Sequence, residues 1–124
     1  MTAEENLTIV RDYLSGRRPD NMAEDATFAD FTQPEPIRGR EAIAAMFHAY
    51  YEEAFPGATA EYRDWIADEH RVVLEFTFRG VNTGPLHGHA PTGQRVETPM
   101  CVIYDVEGGL IRRARLYYDS RGMP

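Results

Sequence analysis

The chain has 124 residues, 43% of them hydrophobic and 27% charged, which suits a single domain spanning 1–124 with one core and room for a small-molecule pocket. Its net charge of −7, from 20 acidic against 13 basic side chains, opposes phosphate backbones and anionic lipid, so no nucleic acid and no membrane partner is expected. Every basic residue is Arg, which excludes Schiff-base lysine chemistry and the phosphate-binding lysine of P-loop proteins. Residues 1–6 lack the basic region and apolar run of a secretory signal, no segment is apolar enough to span a bilayer, and the single Cys101 can form no internal disulfide. A cytoplasmic location is the resulting expectation.

In chain order, Thr2 and Glu5 form a candidate capping box, and Leu7, Val10, Tyr13 and Leu14 recur at helical spacing before Gly16 and Pro19 end a helix over about 3–15. A short turn near Asn21 leads to a strand at 26–31, in which Phe28 and Asp30 share a face. Residues 32–39 read as a loop. From Arg40, the apolar positions Ile43, Met46, Phe47, Tyr50 and Ala54 predict one amphipathic helix that Pro56-Gly57 stops. Strands follow at about 58–67 and, after an Asp68-Glu69 turn, at 70–79, where Val72, Leu74, Phe76 and Phe78 alternate with polar residues. The glycine-rich stretch 80–93 predicts a long excursion at the sheet rim, before a strand at 94–106, a Gly108-Gly109 turn and a last strand at 110–119. This order implies an α+β domain with helices against one face of a curved antiparallel sheet.

The run from Asp25 to Asp30 leading into Glu35–Ile43, and the run Gly88–Val96 leading into Gly108–Ile111, resemble the nuclear transport factor 2-like superfamily, and within it the SnoaL-like polyketide cyclases and the ketosteroid isomerases. The resemblance spans nearly the whole chain. It implies a cone-shaped, cystatin-like fold around a pocket, an apolar small-molecule ligand, no cofactor or metal, and a homodimer formed through the outer sheet face. It also implies roles for particular residues. Asp30 matches the general base that ketosteroid isomerases carry on the first strand, Tyr13 matches their oxyanion donor on the first helix, and Cys101 aligns with their protonated Asp. A thiol is a weak donor, and loss of one such hydrogen bond costs about 10² to 10³ in rate. The Pro91-Thr92-Gly93 loop is similar to that of SnoaL-like cyclases, but the acid/base Asp of their last strand, and the acidic residue of limonene-epoxide hydrolases, fall at Leu116 here.

Each candidate has a plainer reading beside the functional one. Asp30, a carboxylate among Phe28, Ala29 and Phe31, is either a proton acceptor whose strength burial can tune or a strand-end Asp closing an Asx turn. Tyr13 is either a donor or a core ring with its hydroxyl at the edge. Cys101 and Ile103 share the pocket face in one register, and Met100, Val102 and Tyr104 in the other; the isomerase match favours Cys101. His87, His89 and Asn82 lie on the long excursion, either at the pocket mouth or in solvent, and the His-Gly-His spacing resembles no zinc site. Phe28, Met46, Phe47, Tyr50, Leu74, Phe76, Phe78, Leu116 and Tyr118 fall on inward faces as core or as cavity wall, with Asn82, His89 and Cys101 added as ligand contacts. Two functions fit these readings. One is an isomerase or cyclase in which Asp30 moves a proton α to a carbonyl and Tyr13 holds the oxygen; the other is a non-catalytic hydrophobic-ligand-binding or dimerisation module.

Overall fold

Thr2 and Glu5 close the expected capping box: the Thr2 hydroxyl accepts from the Glu5 amide at 3.1 Å, and the Glu5 carboxylate accepts from the Thr2 amide at 3.1 Å. They start helix α1 (Ala3–Leu14) in the computed structural model, which describes residues 1–124. The other elements are β1 (Met22–Asp30), a two-residue β2 (Ile37–Arg38), α2 (Arg40–His48), β3 (Thr59–Ala67), β4 (Arg71–Val81), β5 (Arg95–Glu107) and β6 (Leu110–Tyr118). The strands form one curved sheet in the order β2-β1-β6-β5-β4-β3. Irregular registers in β1, β3 and near Asp105 mark the bulges that bend such sheets. No helix is long and apolar enough to cross a membrane.

Besides the short β2, which pairs Ile37 and Arg38 with Phe28 and Thr27 inside the expected loop, three features depart from the sequence expectation. First, the sheet is antiparallel except for β1, which runs parallel to its neighbour β6, pairing Phe28 with Ala114 and Asp30 with Leu116. The helix and four strands between β1 and β6 supply the long connection that parallel pairing needs. Second, β1 begins at Met22, four residues early, because Met22 and Ala23 are buried and Met22 pairs with Ile111. Third, the helix from Arg40 does not continue regularly to Ala54. It widens after His48 into a π turn over Ala49–Ala54, closed by the Phe55 amide on the Tyr50 carbonyl at 2.8 Å.

That widening sets the packing over the sheet. Phe55 is fully buried, its ring 5.1 Å from Phe78 edge to face, and Tyr51 meets the same Phe78 at 5.4 Å. The core otherwise joins Val10 of α1 and Ile43 of α2 to the inner sheet positions Phe28, Val72, Leu74, Phe76, Val102, Tyr104 and Ala114. The alternation expected in the last strand holds: Ala114, Leu116 and Tyr118 face inward, while Arg113 and Tyr117 lie exposed on the far side.

Candidate active site

Between the helices and the inner sheet face lies a cavity of about 670 Å³, and 20 of its 27 lining residues are hydrophobic, so it suits a largely apolar ligand. Period-2 geometry on β4, β5 and β6 brings Leu74, Phe76, Phe78, Met100, Val102, Leu116 and Tyr118 to its wall, with Phe28 from β1 and Met46, Phe47 and Tyr50 from the helical side. Tyr13 reaches it from the end of α1, and Asp30 from the end of β1.

Asp30 closes the expected Asx turn and also lines the cavity. Its Oδ1 accepts the Thr32 amide at 2.9 Å and the Thr32 hydroxyl at 2.6 Å, which is an Asx turn into the following loop. Its Oδ2 accepts the Tyr118 hydroxyl at 2.8 Å at the cavity wall. One oxygen thus holds the carboxylate in place and the other faces the site. Burial, opposed by the Thr32 hydrogen bond and reinforced by the Asp30 carboxylate, pushes Tyr118 up to about 12, so it stays a neutral donor at physiological pH.

Three residues expected at the ligand lie elsewhere. Cys101 pairs with Glu75 and Tyr117 on the outer face, whereas Met100 and Val102 line the cavity. A one-residue difference in parity separates the two sets, and the β4–β5 pairing of Phe76 with Met100 decides it. Asn82 is buried away from the cavity, where its amide donates to the Gly84 carbonyl at 2.9 Å and the Ala54 carbonyl at 3.2 Å and its Oδ1 accepts the Thr92 amide at 2.8 Å. It ties the long loop to the π turn. His89 is exposed outside the cavity, and its neighbour His87 lines the rim instead.

His87 owes that aim to a tight hairpin. Leu86 and His89 exchange both backbone hydrogen bonds, and His87 (φ 49°) and Gly88 (φ 77°) take the two left-handed positions between them. The His87 Nε2 then meets the Tyr50 hydroxyl at 2.7 Å. Tyr50 is pushed upward by burial, then by Tyr118 and Asp30, which places all three in one electrostatic neighbourhood. Thr32 as the partner of Asp30, and Tyr51 and Tyr62 in the lining, are absent from the sequence expectation, Tyr104 enters through the alternative β5 register, and His87 takes the pocket-mouth reading. The available signals were Thr at two residues beyond Asp30, and the His-Gly pair, since His tolerates left-handed backbone better than most residues. No three His, Cys, Asp or Glu side chains converge as a metal site.

A family model described as a SnoaL-like domain matches residues 17–114. Among solved structures, the chain is similar to a candidate SnoaL-like polyketide cyclase from Jannaschia sp. CCS1, at 21% identity over 95% of this chain and 88% of that one, with a TM-score of 0.82. It is also similar to TsrD from Streptomyces laurentii, at 18% identity over 99% and 94% of the two chains and a TM-score of 0.79. An LEH-like epoxide hydrolase from M. tuberculosis is similar at 21% identity over 98% and 87%, with a TM-score of 0.73. At these identities the likeness shows the fold. No curated protein sequence is significantly similar to this one.

Proposed function

The chain belongs to the SnoaL-like domain family, and we propose that it is an isomerase or cyclase that moves a proton on an apolar, cyclic carbonyl compound of polyketide-like or steroid-like shape. The observation that carries this reading is the Asp30 carboxylate, anchored through Oδ1 to Thr32 and held at the wall of a largely apolar cavity with its Oδ2 accepting from Tyr118. Asp30 takes the proton from the carbon α to the carbonyl, the C–H electron pair moves onto the carbonyl oxygen, and Tyr13 donates a hydrogen bond to that oxygen. Asp30 then returns the proton to a different carbon in an isomerisation; in a cyclisation the enolate carbon bonds to a second carbonyl carbon, the C=O π pair moves onto its oxygen, and Asp30 protonates that alkoxide. The aromatic wall keeps water from the enolate. Tyr50 and His87 at the rim offer a path by which protons exchange with solvent.

The position of Leu116 supports Asp30 as the base. The last-strand carboxylate that SnoaL-like cyclases resembling this chain use falls at Leu116, and Leu116 is paired directly with Asp30 on the neighbouring strand. A carboxylate is therefore present at the same level of the cavity, one strand over. The competing reading is a binding module of the same fold, favoured by Met100, Val102 and Leu116, which surround Asp30's end of the wall with apolar groups. A homodimer built through the outer sheet face belongs to either reading.

Deuterium incorporation from D₂O into polycyclic ketones, followed by mass spectrometry, tests the proposal. The wild type should exchange α-hydrogens well above the buffer rate, and Asp30→Asn should lower that rate by about 10² to 10⁴. Ketone binding without any enzyme-dependent exchange would instead establish the binding module.

A further inference from the structure

Six tyrosines line the cavity, and they divide by their hydroxyl partners. Tyr118 is bonded to Asp30 and Tyr50 to His87. Tyr13, Tyr51, Tyr62 and Tyr104 make no hydrogen bond to protein. Tyr62 is 48% exposed and Tyr13 and Tyr51 are partly so, and bulk water serves them. Tyr104 differs, being only 3% exposed, in the core, with its ring among Val72 and Ala114 on the paired strands. Tyr104 nevertheless lines the cavity, and its hydroxyl, which bonds to no protein group, is open to a ligand there.

We propose that Tyr104 is a second ligand-binding donor, which together with Tyr13 grips a carbonyl or phenol oxygen at the inner end of the cavity. Tyr104 supplies the second hydrogen bond that the outward-facing Cys101 cannot. Its depth fits the chemistry: Val102, Leu116 and Asp30 form one row across the sheet, and Tyr104, Ala114 and Phe28 form the next. The two rows are separated by two residues, or about 7 Å along the strands. An oxygen held at Tyr104 therefore leaves a carbon of the same ring system facing Asp30. Burial, followed by the neighbouring phenols Tyr13, Tyr62 and Tyr51, strongly opposes ionisation of Tyr104, so it remains a donor. The ligand class narrows to fused-ring ketones or phenols with an oxygen at one end. The catalytic consequence rests on the proton-transfer reading above, and the binding consequence does not.

The test compares 2-naphthol with naphthalene, titrated against wild type, Tyr104→Phe and Asp30→Asn by ligand fluorescence, with thermal melting of each protein. Wild type should bind 2-naphthol more tightly than naphthalene. Tyr104→Phe should weaken 2-naphthol by up to about tenfold, leave naphthalene unchanged, and melt no lower than wild type, since it removes a hydroxyl with no partner in the protein. Asp30→Asn should keep the preference for 2-naphthol. The proposal is overturned if wild type does not prefer 2-naphthol, if Tyr104→Phe affects both ligands alike or neither, or if its melting point falls. Loss of the naphthol preference in Tyr104→Phe, alongside a wild type that catalyses no deuterium exchange, upholds the tyrosine subsite and defeats the proton-transfer reading alone.

Discussion

On β5, the inward residues Met100, Val102 and Tyr104 line a cavity, while the outward residues Cys101, Ile103 and Asp105 lie on a surface where polar groups satisfy one another. Asp105 alone accepts from three guanidiniums, Arg113 at 2.7 Å and Arg71 and Arg115 at 3.1 Å. The outer aromatic pair Phe31 and Tyr117 is likewise self-contained, stacked at 5.0 Å and 28°. The inner face carries fewer polar atoms, and several have no partner in the protein. That contrast separates the two faces: most outer polarity is paired within the chain, with Arg115 Nε the exception, whereas the cavity hydroxyls of Tyr13 and Tyr104 bond to no protein group.

Substitutions on the two faces should separate accordingly. The largest contrast is catalytic: Asp30→Asn should abolish most α-proton exchange, and Cys101→Ala on the outer face should leave the rate unchanged, both read by deuterium incorporation. Next in size is packing. Phe55→Ala should cost about 3–5 kcal/mol in urea unfolding, because the ring is fully buried against Phe78 and Tyr50. Phe31→Ala, at 61% exposure, should lose no more than about 1.5 kcal/mol, the value of an aromatic pair.

Gly84→Ala probes the tie between the long loop and the π turn. An added Cβ would lie 1.7 Å from the Glu53 carbonyl oxygen, so the backbones must part. A cost of about 1–3 kcal/mol is expected, with loss of the His87–Tyr50 hydrogen bond visible in the histidine ring NMR signals.

Alkaline titration should sharpen the same distinction. Tyr51 and Tyr118, raised to about 12 chiefly by burial, hold their protons above the unfolded-chain value near 10. Their stabilising contribution is complete below about pH 10 and is lost as pH rises to about 12, so the urea midpoint should fall across that window. Tyr118→Phe should make the fall shallower. The smallest effect is expected for Asp105→Asn, within about 1 kcal/mol and further reduced by salt, since Arg71 and Arg113 are half exposed.

Much of this architecture was legible in the residues. Period-2 runs such as Val72-Leu74-Phe76-Phe78 and Ala114-Leu116-Tyr118 identify their inward faces because one side of a strand must be apolar to be buried. The Thr2–Glu5 cap and the Asp68 turn are local, and the structure shows Asp68 Oδ1 accepting the His70 and Arg71 amides, each at 2.7 Å. Asp30 was conspicuous as a charge inside an aromatic stretch. Less legible was anything that depends on which strand lies beside which. Both parities of β5 carry apolar residues, so Cys101 and Met100 could exchange faces until pairing with Phe76 settled the register. The parallel β1–β6 contact pairs Asp30 with Leu116, and it alone brings the Tyr118 hydroxyl to an Asp30 carboxylate 88 positions away in the chain.

Local sequence was therefore sufficient for the first helix, the long strands, most of their amphipathic faces and the Asp30 turn at the cavity wall, because capping, turn chemistry and side-chain alternation act over a few residues. Tertiary packing set the π turn, the rim position of His87, the structural use of Asn82 and the placement of Tyr104 on the cavity wall. Each of those depends on hydrogen bonds or contacts whose partners come from distant parts of the chain, and no short-range pattern encodes them.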